Sequence, residues 1–247
     1  MSKKRLPRHS RRTRRNHSEP PLHYSDDSLI DRVPQSAPQQ DRRIRALTEA
    51  QGHYSISIQK NTITFGVGPA GTGKTYVMTN LAVDALLNKD IHKIIVTRPA
   101  QEADGEDFGF LPGELAEKYA PYLAPIQDVL NERLSPSYVN NLIKRGYIEA
   151  IPLAFMRGRS FENCWMLLDE AQNTTPAQMK MFLTRIGSGS KMIIDGDPNQ
   201  KDIRGISGLD FAVQRLARHA EVGVVRFDRS DIVRHGIIQD IIEAFED

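Results

Sequence analysis

Gly68-Pro69-Ala70-Gly71-Thr72-Gly73-Lys74-Thr75 is an uninterrupted match to the pattern G-x-x-x-x-G-K-[ST], and its reading decides the fold. A mainly apolar and β-branched stretch, Ile63 to Val67, leads into it, and a helix-forming run, Tyr76 to Leu87, leads away. Strand, glycine-rich loop and helix in that order are the setting in which this pattern cradles nucleotide phosphates. Glycines let backbone N–H groups converge on phosphate oxygens where a side chain would stand in the way. Gly68, Pro69, Ala70, Gly71, Thr72 and Gly73 are therefore expected to form the cradle, with the positive end of the helix behind it. Lys74 is expected to reach the β- and γ-phosphates, and Thr75 to bind Mg²⁺ through its hydroxyl. The competing reading is a Gly-rich turn without a ligand; the full motif and both flanks argue against it.

Working outward, apolar strands alternate with helices. The strands are expected at Thr62–Val67, Lys93–Thr97, Tyr147–Ile151, Cys164–Leu168, Lys191–Ile194 and Val222–Phe227. The helices are expected at Ile44–Ala50, Lys74–Leu87, Leu115–Arg133, Pro136–Lys144, Pro176–Ile186, Leu209–His219 and Ile232–Phe245. Pro121 and Pro125 should break or kink the third, since proline lacks the N–H and its ring crowds the preceding turn. The strand cores are continuous apolar runs, which suit a parallel sheet covered on both faces. The expected fold is α/β: a mainly parallel sheet with helices on both sides, built from βαβ units.

The 247 residues suit one sizeable domain (residues 41 to 247) with an appendage (residues 1 to 40). The net charge of +2 hides an asymmetry. Residues 1 to 15 carry eight Lys and Arg and no acid; taking those from the total of 33 leaves 25 basic against 31 acidic residues, a net of −6. Residues 1 to 40 are rich in Arg, Ser, Pro and Gln and poor in large apolar residues, the composition of a disordered basic tail. Such an arm can bind nucleic-acid phosphates by counterion release, or simply confer solubility. The basic start lacks an apolar segment and a cleavage site, so it does not read as a secretory signal. No apolar run approaches membrane-spanning length. A soluble, cytoplasmic protein without membrane contact is expected. Cys164 is the one cysteine, which excludes an internal disulfide and a cysteine-rich zinc site; a core position is expected for it. The histidines show no metal-ligand spacing. Phe155, Trp165 and Phe182 sit in apolar runs and read as core.

Two further motifs close apolar strands. Trp165-Met166-Leu167-Leu168-Asp169-Glu170-Ala171-Gln172 contains adjacent carboxylates just after its apolar run. In an α/β sheet ligands gather at the carboxyl ends of strands. Asp169 is placed to hold the Mg²⁺ shell opposite Thr75, and Glu170 to act on an attacking water. The alternative is a capping pair before a helix. Asp195-Gly196-Asp197-Pro198-Asn199-Gln200 follows the next strand. Gln200 carries an amide able to donate to a γ-phosphate oxygen and accept from water, and Asp197 is suited to bonding the turn and orienting the loop. The alternative is a plain turn, since these residue pairs form turns in any case.

GPAGTGKT, VTRPA, GFLPGEL, PLAFMRGRSFEN, LLDEAQN, QMKMFLTRIG and GDPNQ, in that order, resemble the PhoH-like family of P-loop ATPases over roughly residues 45 to 240. The resemblance implies a RecA-like core related to one motor domain of superfamily-one helicases, ATP hydrolysis with Mg²⁺, a link to RNA, and an association with phosphate starvation. Carried onto this chain, Gly71, Gly73, Lys74 and Thr75 match the phosphate loop, Asp169 and Glu170 the Walker B acids, and Gln200 the phosphate-sensing glutamine. Gln51 matches a glutamine that contacts the adenine edge in related helicases. Arg98 lies where related motors contact the nucleic-acid backbone; its alternative is a surface arginine after a strand. Arg234, in the stretch Asp231 to His235, is placed to neutralise γ-phosphate charge, and Arg229 lies nearby; the alternative is a charged helix start. Arg157 and Arg159 belong to a signature suited to gripping phosphates of nucleic acid or of a neighbouring subunit.

The resemblance also carries a departure. Superfamily-one motors bind ATP between two cores, and this chain has room for one. The expectation is a homo-oligomer, such as a hexameric ring, with ATP at subunit interfaces. The function this points to is a Mg²⁺-dependent ATPase coupled to RNA or single-stranded nucleic acid. The alternatives are a nucleotide-dependent switch that moves no strand, and a small-molecule kinase, which the acid pair and Gln200 suit less well.

Overall fold

The computed structural model describes residues 45 to 99 and 115 to 233. The basic tail, Arg234 and nearly all of the helix expected at Ile232–Phe245 lie outside the described residues. Six strands form one sheet: β1 (Ile63–Val67), β2 (Lys93–Thr97), β3 (Ile148–Ala150), β4 (Cys164–Leu168), β5 (Lys191–Gly196) and β6 (Val222–Arg226). Their spatial order is β3-β2-β4-β5-β1-β6 and every pairing is parallel. The α/β class expected from the apolar runs is the class observed.

The runs are continuous because both faces of the sheet are covered. Along β4, Trp165 and Leu167 face one core with Ile94, Val96 and Ile193. Cys164, Met166 and Leu168 face the other with Phe65, Met192 and Ile194. The first core is closed by α1 (Glu49–Lys60), α2 (Lys74–Leu87), α3 (Leu115–Arg133) and α4 (Pro136–Lys144). The second is closed by α5 (Pro176–Leu183) and α6 (Gly208–Leu216). Fully buried side chains such as Phe65 and Phe182 each contribute about 1.5–3 kcal/mol through removal from water.

Two expectations fail for identifiable reasons, and of the helix expected at Ile232–Phe245 only the first two residues are described. The first helix is not Ile44–Ala50 but Glu49–Lys60: Thr48 is its N-cap and accepts from Gln51 N–H at 3.2 Å. Its sequence, with Gly52 and several Ser and Ile residues, is a weak helix former. Burial of Gln51, Tyr54 and Ile58 along one stripe holds it against the sheet. α3 runs unbroken through Pro121 and Pro125. Each interior proline costs about 3 kcal/mol, and α3 buries Leu123, Ile126 and Leu130 in the first core. At the carboxyl end, Ile232 and Val233 are not helical. Asp228 and Asp231 form a reciprocal cap around the short turn Arg229–Asp231, after which the chain extends and Val233 N–H donates to Gly71 O at 3.1 Å.

Parallel pairing is what assembles the site. Thr97, Leu168, Ile194 and Phe65 lie abreast across β2, β4, β5 and β1. The segments that follow each therefore emerge on one side of the sheet, in the order Arg98, Asp169, the Asp197 loop and the phosphate loop. This is the carboxyl edge, where ligands bind in open α/β sheets.

Candidate active site

The phosphate loop leaves β1 and turns into α2, whose N-cap is Gly73 in the left-handed region (φ 80°). A Cβ on Gly73 would lie 2.7 Å from Gln51 Nε2, and one on Gly68 would lie 2.3 Å from the backbone oxygen of Phe227. Glycine at these two positions is thus required by close approach as well as by conformation. Lys74 is nearly buried. Its ammonium donates to Gly68 O at 2.8 Å, to Pro69 O at 2.6 Å and to Thr72 Oγ1 at 3.2 Å. Burial pulls its pKa down, opposed by the negative field of Asp195, Asp197, Asp169 and Glu170.

An open cleft of about 1080 Å³ lies over this loop. Among the residues read from the sequence, Gln51, Ala70, Gly71, Gly73, Lys74, Thr75, Arg98, Asp169, Glu170 and Gln200 all line it. Gly68 and Pro69 instead face a smaller hollow of about 280 Å³ beside Phe227, and Thr72 is fully buried beneath the loop. Arg157 and Arg159 do not line the cleft; Arg159 stacks over Phe161 at 4.8 Å and approaches Glu149 at 3.7 Å. Arg234 is outside the described residues; Val233, which precedes it in the chain, lines the cleft. Phe155 is not core: it is 64% exposed, because the single tight turn Leu153–Met156 buries its two ends, Leu153 and Met156, and turns the middle outward. Trp165 and Phe182 are core, and so is Cys164, whose thiol burial pushes up in pKa.

Asp169 and Glu170 follow β4 directly. Asp169 N–H donates to Thr97 O at 3.2 Å, and Glu170 adopts left-handed backbone angles (φ 56°, ψ 37°) that cost a non-glycine residue roughly 1–2 kcal/mol. That turn presents both carboxylates to the cleft. Burial raises the pKa of Asp169, with Arg98 pulling it down and Glu170 pushing it up. Arg98 Nη2 lies 3.1 Å from Glu170 Oε1, and its Nε lies 4.0 Å from Asp169 Oδ2.

Three side chains that sequence reasoning left without a role knit the loops together. Gln172, fully buried, donates from Nε2 to Glu170 Oε2 and to Gln200 O (3.3 Å), while its Oε1 accepts from Asp197 N–H at 3.1 Å. Asp197 itself accepts from Ala70 N–H at 3.1 Å and from Asn199 N–H at 3.0 Å, tying the third motif to the first. Beneath them Tyr54 donates its hydroxyl to Asp195 Oδ1. Asp195 is wholly buried; its Oδ2 has no hydrogen-bond partner among the described residues, and burial pushes its pKa up to about 7. Their only sequence signal was position: Gln172 and Asp195 stand inside the quoted motifs, and Tyr54 stands one turn after Gln51.

Gln51 is almost fully buried, and both ends of its amide are engaged. Nε2 donates to Thr72 O at 3.0 Å, and Oε1 accepts from Leu47 N–H at 2.8 Å. The described geometry makes it a brace for the phosphate loop. Beside it the rim of the cleft carries exposed Leu47 and Tyr76, apolar surface of the kind a nucleobase covers. A Mg²⁺ ion fits the donors present: Thr75 offers a hydroxyl and Asp169 a carboxylate at the same cleft, and this cation is usually held by one or two carboxylates together with substrate phosphates.

The profile of a family described as PhoH-like protein matches residues 43–246. The chain is similar to the PhoH-like protein of Bacillus subtilis (strain 168), 48% identical over 227 residues covering 91% of this chain and 70% of that one. It is likewise similar to Protein PhoH of Escherichia coli (strain K12), 48% identical over 206 residues covering 82% of this chain and 58% of that one. The chain thus spans well over half, but not all, of each relative. Among solved structures it is similar to the large terminase of a thermophilic bacteriophage in complex with ADP (TM-score 0.46, 11% identity, 79% of this chain and 49% of that one). It is also similar to the Pif1 helicase of Candida albicans (TM-score 0.43, 15% identity, 82% and 44%).

Proposed function

The chain belongs to the PhoH-like family, and on that premise we propose that it is a Mg²⁺-dependent ATP hydrolase with a RecA-like core, coupled to RNA or single-stranded nucleic acid. One observation carries the reading. Lys74 and Thr75 from the phosphate loop, Asp169 and Glu170 from the end of β4, and Gln200 from the turn after β5 all face one cleft at the carboxyl edge of a parallel sheet.

In this reading loop N–H groups and Lys74 hold the triphosphate, and Thr75 and Asp169 would hold Mg²⁺, which would supply positive charge against the phosphates. Glu170 orients and deprotonates the attacking water, and Gln200 monitors the γ-phosphate. Gln51 contacts the adenine edge only by exchanging its present partners, so its first role is to hold Thr72. Arg234 offsets charge that develops in the transition state. ATP lies between subunits of a homo-oligomer.

The test is inorganic phosphate release with and without single-stranded RNA. Glu170→Gln is expected to retain ATP binding and to lose on the order of 10²–10⁴ in turnover, the span attributed to a positioned base. Unchanged turnover in that variant removes the assigned role. Turnover in the wild type that RNA does not stimulate favours the switch over the motor.

A further inference from the structure

The proposed mechanism needs Glu170 to face water with its charge available, and the structure engages that charge elsewhere. Its Oε1 is paired with Arg98 at 3.1 Å and its Oε2 accepts from Gln172. Arg98 also reaches Asp169 at 4.0 Å. These are not a sealed structural pair: the side chains of Arg98 and Glu170 are 29% and 31% exposed, and both line the cleft. Arg98 stands at the carboxyl end of β2, at the far side of Asp169 from the phosphate loop. A guanidinium binds carboxylate and phosphate with the same planar fork, so the two compete for it directly.

We propose that Arg98 is a phosphate-displaceable latch on Glu170. While the guanidinium holds Oε1, the carboxylate is neutralised and turned from its water; a phosphate that captures the guanidinium frees it. Arg98 is a positioning residue that acts through Glu170. The displacing phosphate has two sources, the backbone of a nucleic acid or the γ-phosphate of the bound nucleotide. The proposal rests on the reading of Glu170 as the group that acts on water, but its thermodynamic signature does not depend on turnover. If phosphate binding breaks the ion pair, removing the carboxylate charge must strengthen phosphate binding, because coupling between two sites is reciprocal.

The experiment measures the affinity of the full chain for a single-stranded uridine oligonucleotide by fluorescence anisotropy. Wild type, Glu170→Gln, Arg98→Gln and the double variant are compared across a salt series. A second arm measures the affinity ratio of a non-hydrolysable ATP analogue to ADP in the same four proteins. Glu170→Gln is expected to bind more tightly than wild type by several-fold, and the gain is expected to vanish in the Arg98→Gln background. Gain in the first arm identifies the nucleic-acid backbone, and the salt slope then falls by about 0.7 in Arg98→Gln, the value for one lost single-strand phosphate contact. Gain confined to the second arm identifies the γ-phosphate. Where the first arm identifies the nucleic-acid backbone, Arg98→Gln is also expected to release phosphate faster than wild type when no oligonucleotide is present. A gain that persists without Arg98 is general charge repulsion and overturns the latch, as does no gain in either arm. Absence of phosphate release from the wild type under every condition sinks the hydrolysis reading, while the binding cycle still judges the latch.

Discussion

Asp195 shows how much a single buried carboxyl can demand. It is enclosed on β5 opposite Gly66, where even a Cβ would come within 2.5 Å of its Oδ1, and that oxygen accepts from the Tyr54 hydroxyl. With its folded pKa raised to about 7, the native state binds a proton that the unfolded chain has already released above about pH 4. Stability contributed by the neutral acid is therefore full below pH 4, declines as pH rises toward 7, and is lost above it. Asp195→Asn is expected to remove this slope. Urea midpoints of the two proteins at pH 5 and pH 8 give the check: wild type should lose stability relative to the variant at pH 8. At the cleft rim, Tyr76→Ala is expected to weaken ATP binding by about 1 kcal/mol or more, as loss of aromatic stacking does, with little change in melting temperature because Tyr76 is 41% exposed. Lys74, Thr75, Asp169 and Glu170, which line one cleft, were legible in the sequence as candidates because phosphate and metal chemistry admit few residue types at fixed spacings. Gln172, Tyr54 and Asp195 were not, because a hydrogen bond between distant segments leaves no local pattern.

At the scale of elements, α1 carries the main lesson. It presents Gln51 to the phosphate loop and Tyr54 to the core, yet its sequence favours helix poorly. Thr48→Ala removes the side-chain acceptor at its N-cap and is expected to cost about 1 kcal/mol of stability, measurable by denaturant unfolding. Because Gln51 rides on the same first turn, nucleotide affinity should fall as well, whereas Thr175→Ala at the cap of α5 should lower stability alone. β2, β4, α2, α3 and α4 begin and end where the sequence places them, since apolar runs and proline or glycine boundaries are local signals. α1 was misplaced and the prolines of α3 over-weighted for one reason: packing against the sheet outweighs intrinsic propensity.

At the scale of the whole molecule, the phosphate loop and the carboxyl edge of the six-stranded sheet line a cleft of about 1080 Å³ among the described residues. A second surface supplied by another copy would close it. Sedimentation velocity with ATP and Mg²⁺ is expected to show an oligomer larger than the apo species. A protein that stays monomeric in both states while hydrolysing ATP at full rate refutes that arrangement.

The sequence alone was enough for the α/β class, the order of strands along the chain and most of the residues that line the cleft. Each follows from short-range constraints: hydrophobic runs, turn formers and chemically obligatory side chains. Only the tertiary structure decided that Arg98 closes on Glu170, that Gln172 bonds Glu170 and both ends of the Asp197–Gln200 turn, and that Gln51 braces Thr72. The strand order β3-β2-β4-β5-β1-β6 brings the ends of segments far apart in the chain within hydrogen-bonding distance, and that order is set by how the two cores pack, over distances no local pattern records.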